Sequence, residues 1–231
     1  MKNNPLFAFL ILVFVTGCAA QTANALPEFP LDKGTTWVYS YSVYDTSTTN
    51  PNQIIKAAYQ LTETVVETET ISNYVVGRVE REYQVVNSDS GWISDLSNQP
   101  NEFWYVVNGN QVFEKNQPLD AAHLKLEELI LDYEFPLSIG KDWCLFSQNP
   151  KNPKQITDCE VIGKRQVTGQ GAYETPAGNF DQCYDLIDYF NGGNVFQTFC
   201  NGVGVIYMKF DHAGTRFGYE QTLIEYSSGV H

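Results

Sequence analysis

The sequence predicts a mainly β protein: a curved antiparallel sheet or open barrel built from two similar β-units, with at most one short helix. Three observations carry that expectation. Aromatic and β-branched residues alternate with polar ones over many short stretches, the period of a strand with one dry face. Turn residues separate those stretches, among them Asn108-Gly109, the strongest short-range hairpin signal. A nine-residue phrase also occurs twice, Phe29-Pro30-Leu31-x-x-Gly34-x-x-Trp37 and Phe135-Pro136-Leu137-x-x-Gly140-x-x-Trp143. It reads as an apolar anchor, a turn that uses glycine's freedom at positive φ, and a strand whose first core residue is Trp.

At the N-terminus, Lys2 precedes an apolar run from Leu6 to Val15, too short to span a bilayer and suited to a signal peptide. Val15-Thr16-Gly17-Cys18 resembles the lipobox of bacterial lipoproteins, in which the cysteine becomes the lipidated N-terminus. The alternative is plain secretion with cleavage after Ala23-Asn24-Ala25. Both routes leave the cytoplasm. The expected layout is a signal peptide at 1–17, a lipidated tether at 18–28 and one β domain at 29–231.

The first strand runs from Thr35 to Tyr44, with Trp37, Tyr39, Tyr41 and Val43 on one face. After a polar loop, Ile54 to Ile71 is rich in Thr and Val and reads as extended, with Glu63, Glu67 and Glu69 on a wet face. Tyr74 to Val86 alternates again, placing Val75, Gly77, Val79, Arg81, Tyr83 and Val85 together. Its charges Arg78, Glu80, Arg81 and Glu82 suit cross-strand pairing on a solvated face. Asn87 to Asn101 is a polar loop whose Trp92, Ile93 and Leu96 could form a lid, and Phe103–Val107 with Gln111–Phe113 makes a hairpin. In 120–133, Leu126, Leu129, Ile130 and Tyr133 keep helical spacing, which predicts a short helix at about 121–131.

The phrase then returns and the second half begins. Trp143–Phe146 starts a strand, Asn149–Lys154 is a loop, and Ile156–Val167 is extended. Thr175-Pro176-Ala177-Gly178 forms a type I turn leading into a return strand through Tyr189. Val195–Cys200, Val203–Phe210 and Phe217–Tyr226 complete the set. Phe103-x4-Asn108-Gly109-x2-Val112 also matches Phe196-x4-Asn201-Gly202-x2-Val205, so a duplication with halves at about 29–118 and 135–226 is expected. Trp37 and Trp143 should then hold equivalent places in one sheet.

Composition narrows function mainly by exclusion. The formal charge is −13, and loss of Lys2 with the signal peptide makes it −14, so the chain lacks the cationic surface that nucleic acid requires. Besides Cys18 there are four cysteines, an even set that reads as two disulfides in an oxidising compartment. Of three pairings, Cys144 with Cys159 and Cys183 with Cys200 is favoured, each joining neighbouring strands. Metal-ligand spacing is missing from His123, His212 and His231, and Asp211-His212 reads as a solvated turn. Glu127/Glu128 and Asp185/Asp188 are acidic pairs of the kind expected by coincidence among 27 carboxylates. The chain is therefore read as no enzyme, with no cofactor and no metal. Trp37, Trp104, Trp143, Phe196 and Tyr207 are candidate ligand-lining aromatics, with a self-filled core as the competing reading.

With the lipobox, the repeated phrase, Thr175-Pro176-Ala177-Gly178-x-Phe180 and Gly202-Val203-Gly204-Val205 in view, the chain resembles a broad group of uncharacterised bacterial lipoproteins. The resemblance covers about residues 135–226. In outline it is similar to the LolA/LolB type of open β-barrel, which implies a curved sheet around an apolar interior able to bind acyl chains. The low helix content departs from the helical plug usual in that type. The expected function is a lipid-anchored binding protein of the cell envelope, held at a membrane through Cys18, for an apolar or amphipathic ligand or an envelope partner. A purely structural lipoprotein without a cavity is the alternative, and a hydrolase of envelope polymers is the third reading.

Overall fold

In the computed structural model the described residues are 26–47, 50, 52–89, 101–119, 124–146, 159, 163–190 and 192–229. The signal peptide, Cys18, Trp92 with its loop, His123, the 149–154 loop and His231 lie outside them. Twelve strands form one antiparallel sheet. The first six are β1 (Thr36–Thr46), β2 (Ile54–Ile71), β3 (Tyr74–Ser88), β4 (Glu102–Asn108), β5 (Gln111–Lys115) and β6 (Ile130–Glu134). The second six are β7 (Asp142–Cys144), β8 (Lys164–Thr175), β9 (Gly178–Phe190), β10 (Gly193–Cys200), β11 (Gly204–His212) and β12 (Gly218–Ser227). Each half is a meander, and the two are joined where β1 pairs with β12.

The sheet curls until its outer strands β6 and β7 almost meet. An antiparallel bridge links Ile130 to Phe146. Beside it the Leu131 amide donates to the Leu145 carbonyl at 2.7 Å, and Trp143 Nε1 donates to the Leu131 carbonyl at 3.2 Å. The result is a nearly closed up-and-down barrel.

Both copies of the phrase do the same structural work. Gly34 (φ +91°) and Gly140 (φ +87°) take the turn. Gly34 N donates to the Val65 carbonyl at 2.7 Å and Val65 N to the Thr35 carbonyl; Gly140 N donates to the Val167 carbonyl at 2.8 Å and Val167 N to the Lys141 carbonyl. A register shift follows Val65 in β2 and Val167 in β8. Trp37 stands opposite Glu63, and Trp143 opposite Arg165. Phe29, Leu31, Phe135 and Leu137 are all buried in one core cluster with Trp37, Trp143 and Phe199, so the two phrases together stopper one end of the barrel. Gly77 of β3 makes room for that stopper: a Cβ there would lie 2.9 Å from Leu31 Cδ2. The tight hairpins between β2 and β3, β4 and β5, β8 and β9, and β10 and β11 share this end.

Two local expectations are corrected. Instead of a helix over 121–131, the described residues show a 3-10 turn at Leu126–Glu128 followed directly by β6. Leu119, Leu124, Leu126 and Leu129 pack across the outer face of the sheet onto Val76, Val106 and Phe113, so their apolar spacing serves an irregular strap. The matched hairpins at Asn108 and Asn201 both exist, but they differ in length. Asn108 pairs with Gln111 around two residues, whereas Cys200 pairs with Gly204 around three. A one-residue slip reverses every side chain, and accordingly Phe103 points into the core (1% exposed) while Phe196 is 39% exposed.

The cysteines pair as Cys144–Cys159 and Cys183–Cys200. The second joins directly opposed residues of β9 and β10 and is fully buried.

Candidate functional site

Inside the barrel is a cavity of about 620 Å³. All four inward residues of β1, Trp37, Tyr39, Tyr41 and Val43, line it, as the alternation of that strand requires. Toward the stoppered end the lining residues Phe29, Trp37, Tyr39 and Leu61 are buried. Toward the other end Tyr41, Tyr83, Met208 and Phe217 are half-buried, while Asn116 and Phe190 are exposed, so the cavity opens there.

The interior is charged as well as aromatic. Glu63, Arg81, Glu114, Asp132, Arg165 and Asp188 all line it. Arg165 is 5% exposed and held by two carboxylates: Nε and Nη2 donate to Asp188 at 2.5 and 2.7 Å, and Nη1 donates to Asp132 Oδ1 at 2.6 Å. Nη1 also reaches the Asp132 carbonyl at 2.6 Å, and the guanidinium lies 5.0 Å from the Tyr133 ring centroid. The Gln197 amide fits with its oxygen accepting from Arg165 Nη2 at 2.6 Å and its nitrogen donating to Tyr133 Oη at 2.8 Å. Burial works against the Arg165 charge, but Asp188 and Asp132 outweigh it and raise its pKa. A buried cation with this many partners is satisfied and rigid.

In the first half, Arg81 Nη2 and Nε donate to Glu63 Oε1 at 2.6 and 2.8 Å, with the guanidinium 4.5 Å from the Phe103 centroid. Glu63 pairs with Arg81 across β2 and β3, and Arg165 with Asp188 across β8 and β9. The matching positions of the two similar β-units thus each carry an ion pair, with its polarity reversed. Asp132 reaches the interior because the β5–β6 register shifts between Val112 and Phe113, leaving it without a strand partner and letting both Asp132 and Tyr133 line the cavity.

Glu114 differs from the other five. Burial, then the charges of Asp132 and Glu63, push its carboxyl up to about 7, with Arg81 and Arg165 pulling the other way. Burial also raises Asp132, against the pull of Arg165.

Of the five aromatics singled out in the sequence, the cavity takes only Trp37. Trp143 is buried in the core beside the stopper, and its indole serves the seam between β6 and β7. Trp104 faces outward under the strap. Phe196 is exposed on the outer surface, and Tyr207 donates to Glu220 at 3.0 Å. Three of those five are tryptophans, whereas six of the eleven aromatic residues that line the cavity are tyrosines, at positions 39, 41, 83, 105, 133 and 219. The charged set was missed for a different reason. Glu63 was grouped with Glu67 on a wet face, but the register shift after Val65 sends Glu63 inward and leaves Glu67 exposed beside Arg78. Arg81 does pair across strands as expected, with Glu63, but the expected solvated face is corrected: that face is the barrel interior. Asp188 was noted as half of an acidic pair, yet its neighbour Asp185 instead accepts from Tyr173 and Thr198. Asp211 pairs with Lys209 at 2.7 Å, and His212 Nδ1 meets Thr215 Oγ1 at 3.0 Å.

No family model and no curated protein matches this chain. Two solved structures share its outline. A candidate exported protein with a YmcC-like fold from Bacteroides fragilis is 11% identical at a TM-score of 0.48, covering 87% of this chain and 98% of the other. A candidate lipoprotein from Parabacteroides distasonis is 13% identical at 0.45, covering 88% of this chain and 100% of the other. At that distance no residue role is carried across.

Proposed function

We propose that this chain is a lipid-anchored extracytoplasmic binding protein whose barrel holds an amphipathic ligand. The observation that carries the reading is the hollow interior. A barrel serving only as structure fills its axis with its own side chains, whereas here about 620 Å³ stays open, a size typical of small-molecule sites. The polar groups at its depth define the character of the guest. A bare acyl chain, the guest implied by the likeness to LolA/LolB barrels, would desolvate Glu63, Arg81 and Glu114 without offering them a partner. A molecule with both a polar group and an apolar body would satisfy the charged zone and the tyrosines together. Asp132 and Asp188 are held by Arg165, which argues against their acting as a free acid and base.

Two features support the location. The two disulfides suit an oxidising compartment. The chain also comes in at the stoppered end, where Leu26 packs against the core and Gly202 N donates to the Glu28 carbonyl at 2.9 Å. A lipid on Cys18 would leave Ala19 to Leu26 as tether, a reach of at most about 30 Å, and would point the mouth away from that membrane. The test is native mass spectrometry of protein lacking residues 1–18, purified without detergent. A co-purified small molecule, released on denaturation, is the expected result. An empty barrel whose melting temperature no amphiphile raises would overturn the reading.

A further inference from the structure

We infer that the cavity is selective for a ligand with a positively charged nitrogen on an apolar body, an amine or quaternary ammonium, and that Glu114 is its counter-ion. The inference rests on the binding reading above and narrows it to one charge class.

The first argument is the charge inventory of the cavity. Its lining holds four carboxylates and two guanidiniums, with no lysine or histidine among the described residues. Both cations are already matched. Arg165 is bound by Asp188 and Asp132, and Arg81 by Glu63, each guanidinium also lying against an aromatic ring. An incoming phosphate or carboxylate would find no unmatched cation and would meet the surplus carboxylate. Four carboxylates against two guanidiniums leave two negative charges in excess, one shared by the two aspartates on Arg165 and the other on Glu114, the carboxylate outside both ion-pair groups. Among the described residues, no Lys, Arg or His nitrogen comes within ion-pair reach of it.

The second argument is the wall around Glu114. The groups that share the cavity with it and act on it electrostatically are Glu63 of β2, Arg81 of β3, Tyr105 of β4, Asp132 and Tyr133 of β6, Arg165 of β8 and Tyr219 of β12. Three are tyrosines, whose ring faces attract ammonium groups, most strongly when desolvated. Nearer the mouth, Tyr41 lies 5.8 Å from both Tyr83 and Tyr219, centroid to centroid, extending the aromatic surface along the path inward. A carboxylate whose own surroundings favour its proton, in a cavity lined by six tyrosines, lacks a positive charge that a ligand can supply. A cation entering would displace that proton, so binding should tighten as pH rises through the range near 7 where Glu114 titrates.

The test uses three probes with the same ten-carbon chain, decyltrimethylammonium, decanoate and decanol, each below its micellar concentration. They are titrated calorimetrically onto protein lacking residues 1–18, as wild type and as Glu114→Gln, at pH 6 and pH 8. Wild type should bind the ammonium probe in preference to the other two, about tenfold more tightly at pH 8 than at pH 6. Glu114→Gln should lose about tenfold in affinity at pH 8, together with the pH dependence. The inference fails if decanoate binds as tightly as the ammonium probe, or if Glu114→Gln binds the ammonium probe like wild type. Decanol or decanoate binding without the ammonium probe would overturn the charge assignment and leave the binding reading standing. Silence from all three would sink both.

Discussion

Glu63 and Arg165 stand opposite the tryptophans of the two phrases, at matching places in the two similar halves of the sheet, yet they carry opposite charge. Each has the partner that its sign demands on the next strand, so what the two halves share is a neutralised ion pair and not a particular residue. Sequence comparison of the halves could not find this, because position by position the two sites look unrelated. Alternation did place Arg81 and Tyr83 on one face, but whether a face is dry or wet depends on the curl of the whole sheet. Glu114 lies outside both pairs, and its unmatched charge has a consequence for stability. Its carboxyl is raised from 4.5 to about 7 on folding, so between those values the folded state holds the proton more strongly than the unfolded state. The stabilisation is therefore fully present below pH 4.5 and is lost as pH rises through 7. Glu114→Gln removes the titration while keeping the shape. The variant and wild type should be nearly equally stable at pH 4.5, and at pH 8 the variant should be ahead by on the order of 2 kcal/mol. Urea melts at the two pH values measure this, and a stability gap that does not change with pH would refute it.

At the level of elements, the repeated phrase was the most legible feature of the chain, because its residues are ones for which few others substitute. Gly34 and Gly140 sit at φ +91° and +87°, where a Cβ is strained, and each donates its amide to a buried valine carbonyl of the next strand. Space is not the obstacle: a Cβ at Gly140 would meet nothing within 4 Å, and at Gly34 only the Gly229 Cα at 3.8 Å. Alanine at either position should therefore cost backbone strain alone, about 1–2 kcal/mol, and the two costs should agree closely. Thermal denaturation of the two single variants checks the equivalence of the halves. A large cost at one site and none at the other would mean that the phrases only look alike. The strap of Leu119 and residues 124–129 was illegible for the opposite reason. Its leucines have helical spacing, but the surface they cover, Val76, Val106 and Phe113, is the outward face of strands whose inward face is also buried. Strands apolar on both sides carry no sign of which neighbour covers them. The packing of the strap onto that face outweighs the local preference for helix.

For the whole molecule, the alternating pattern and the turn signals were enough to expect a curved sheet, and they left its closure undecided. Closure depends on β6 meeting the residues just after β7, across a contact that no periodicity announces. The join is slight. β1 and β2 are paired along eleven residues, whereas among the described residues the polar contacts across the seam are the Ile130–Phe146 bridge, the Leu131 amide on Leu145, the Trp143 indole on Leu131, Lys141 on Glu134 and Arg165 reaching from β8 to Asp132 on β6. Local opening takes the path of fewest lost contacts, so the barrel should part along this line before the β1–β2–β12 side yields. Arg165 is the strongest element of the seam and also binds Asp188, so its removal strands two buried carboxylates. Arg165→Leu should cost about 3–5 kcal/mol. Native-state hydrogen exchange distinguishes an effect at the seam from general weakening. In wild type the Leu131 amide should exchange faster than the amide of Val65. In Arg165→Leu, at a denaturant concentration too low to unfold the protein, the Leu131 amide should lose further protection while Val65 remains slow. Equal rates at both places in wild type, or a uniform loss in the variant, would show that the barrel opens as one unit and that the seam is no weaker than the rest.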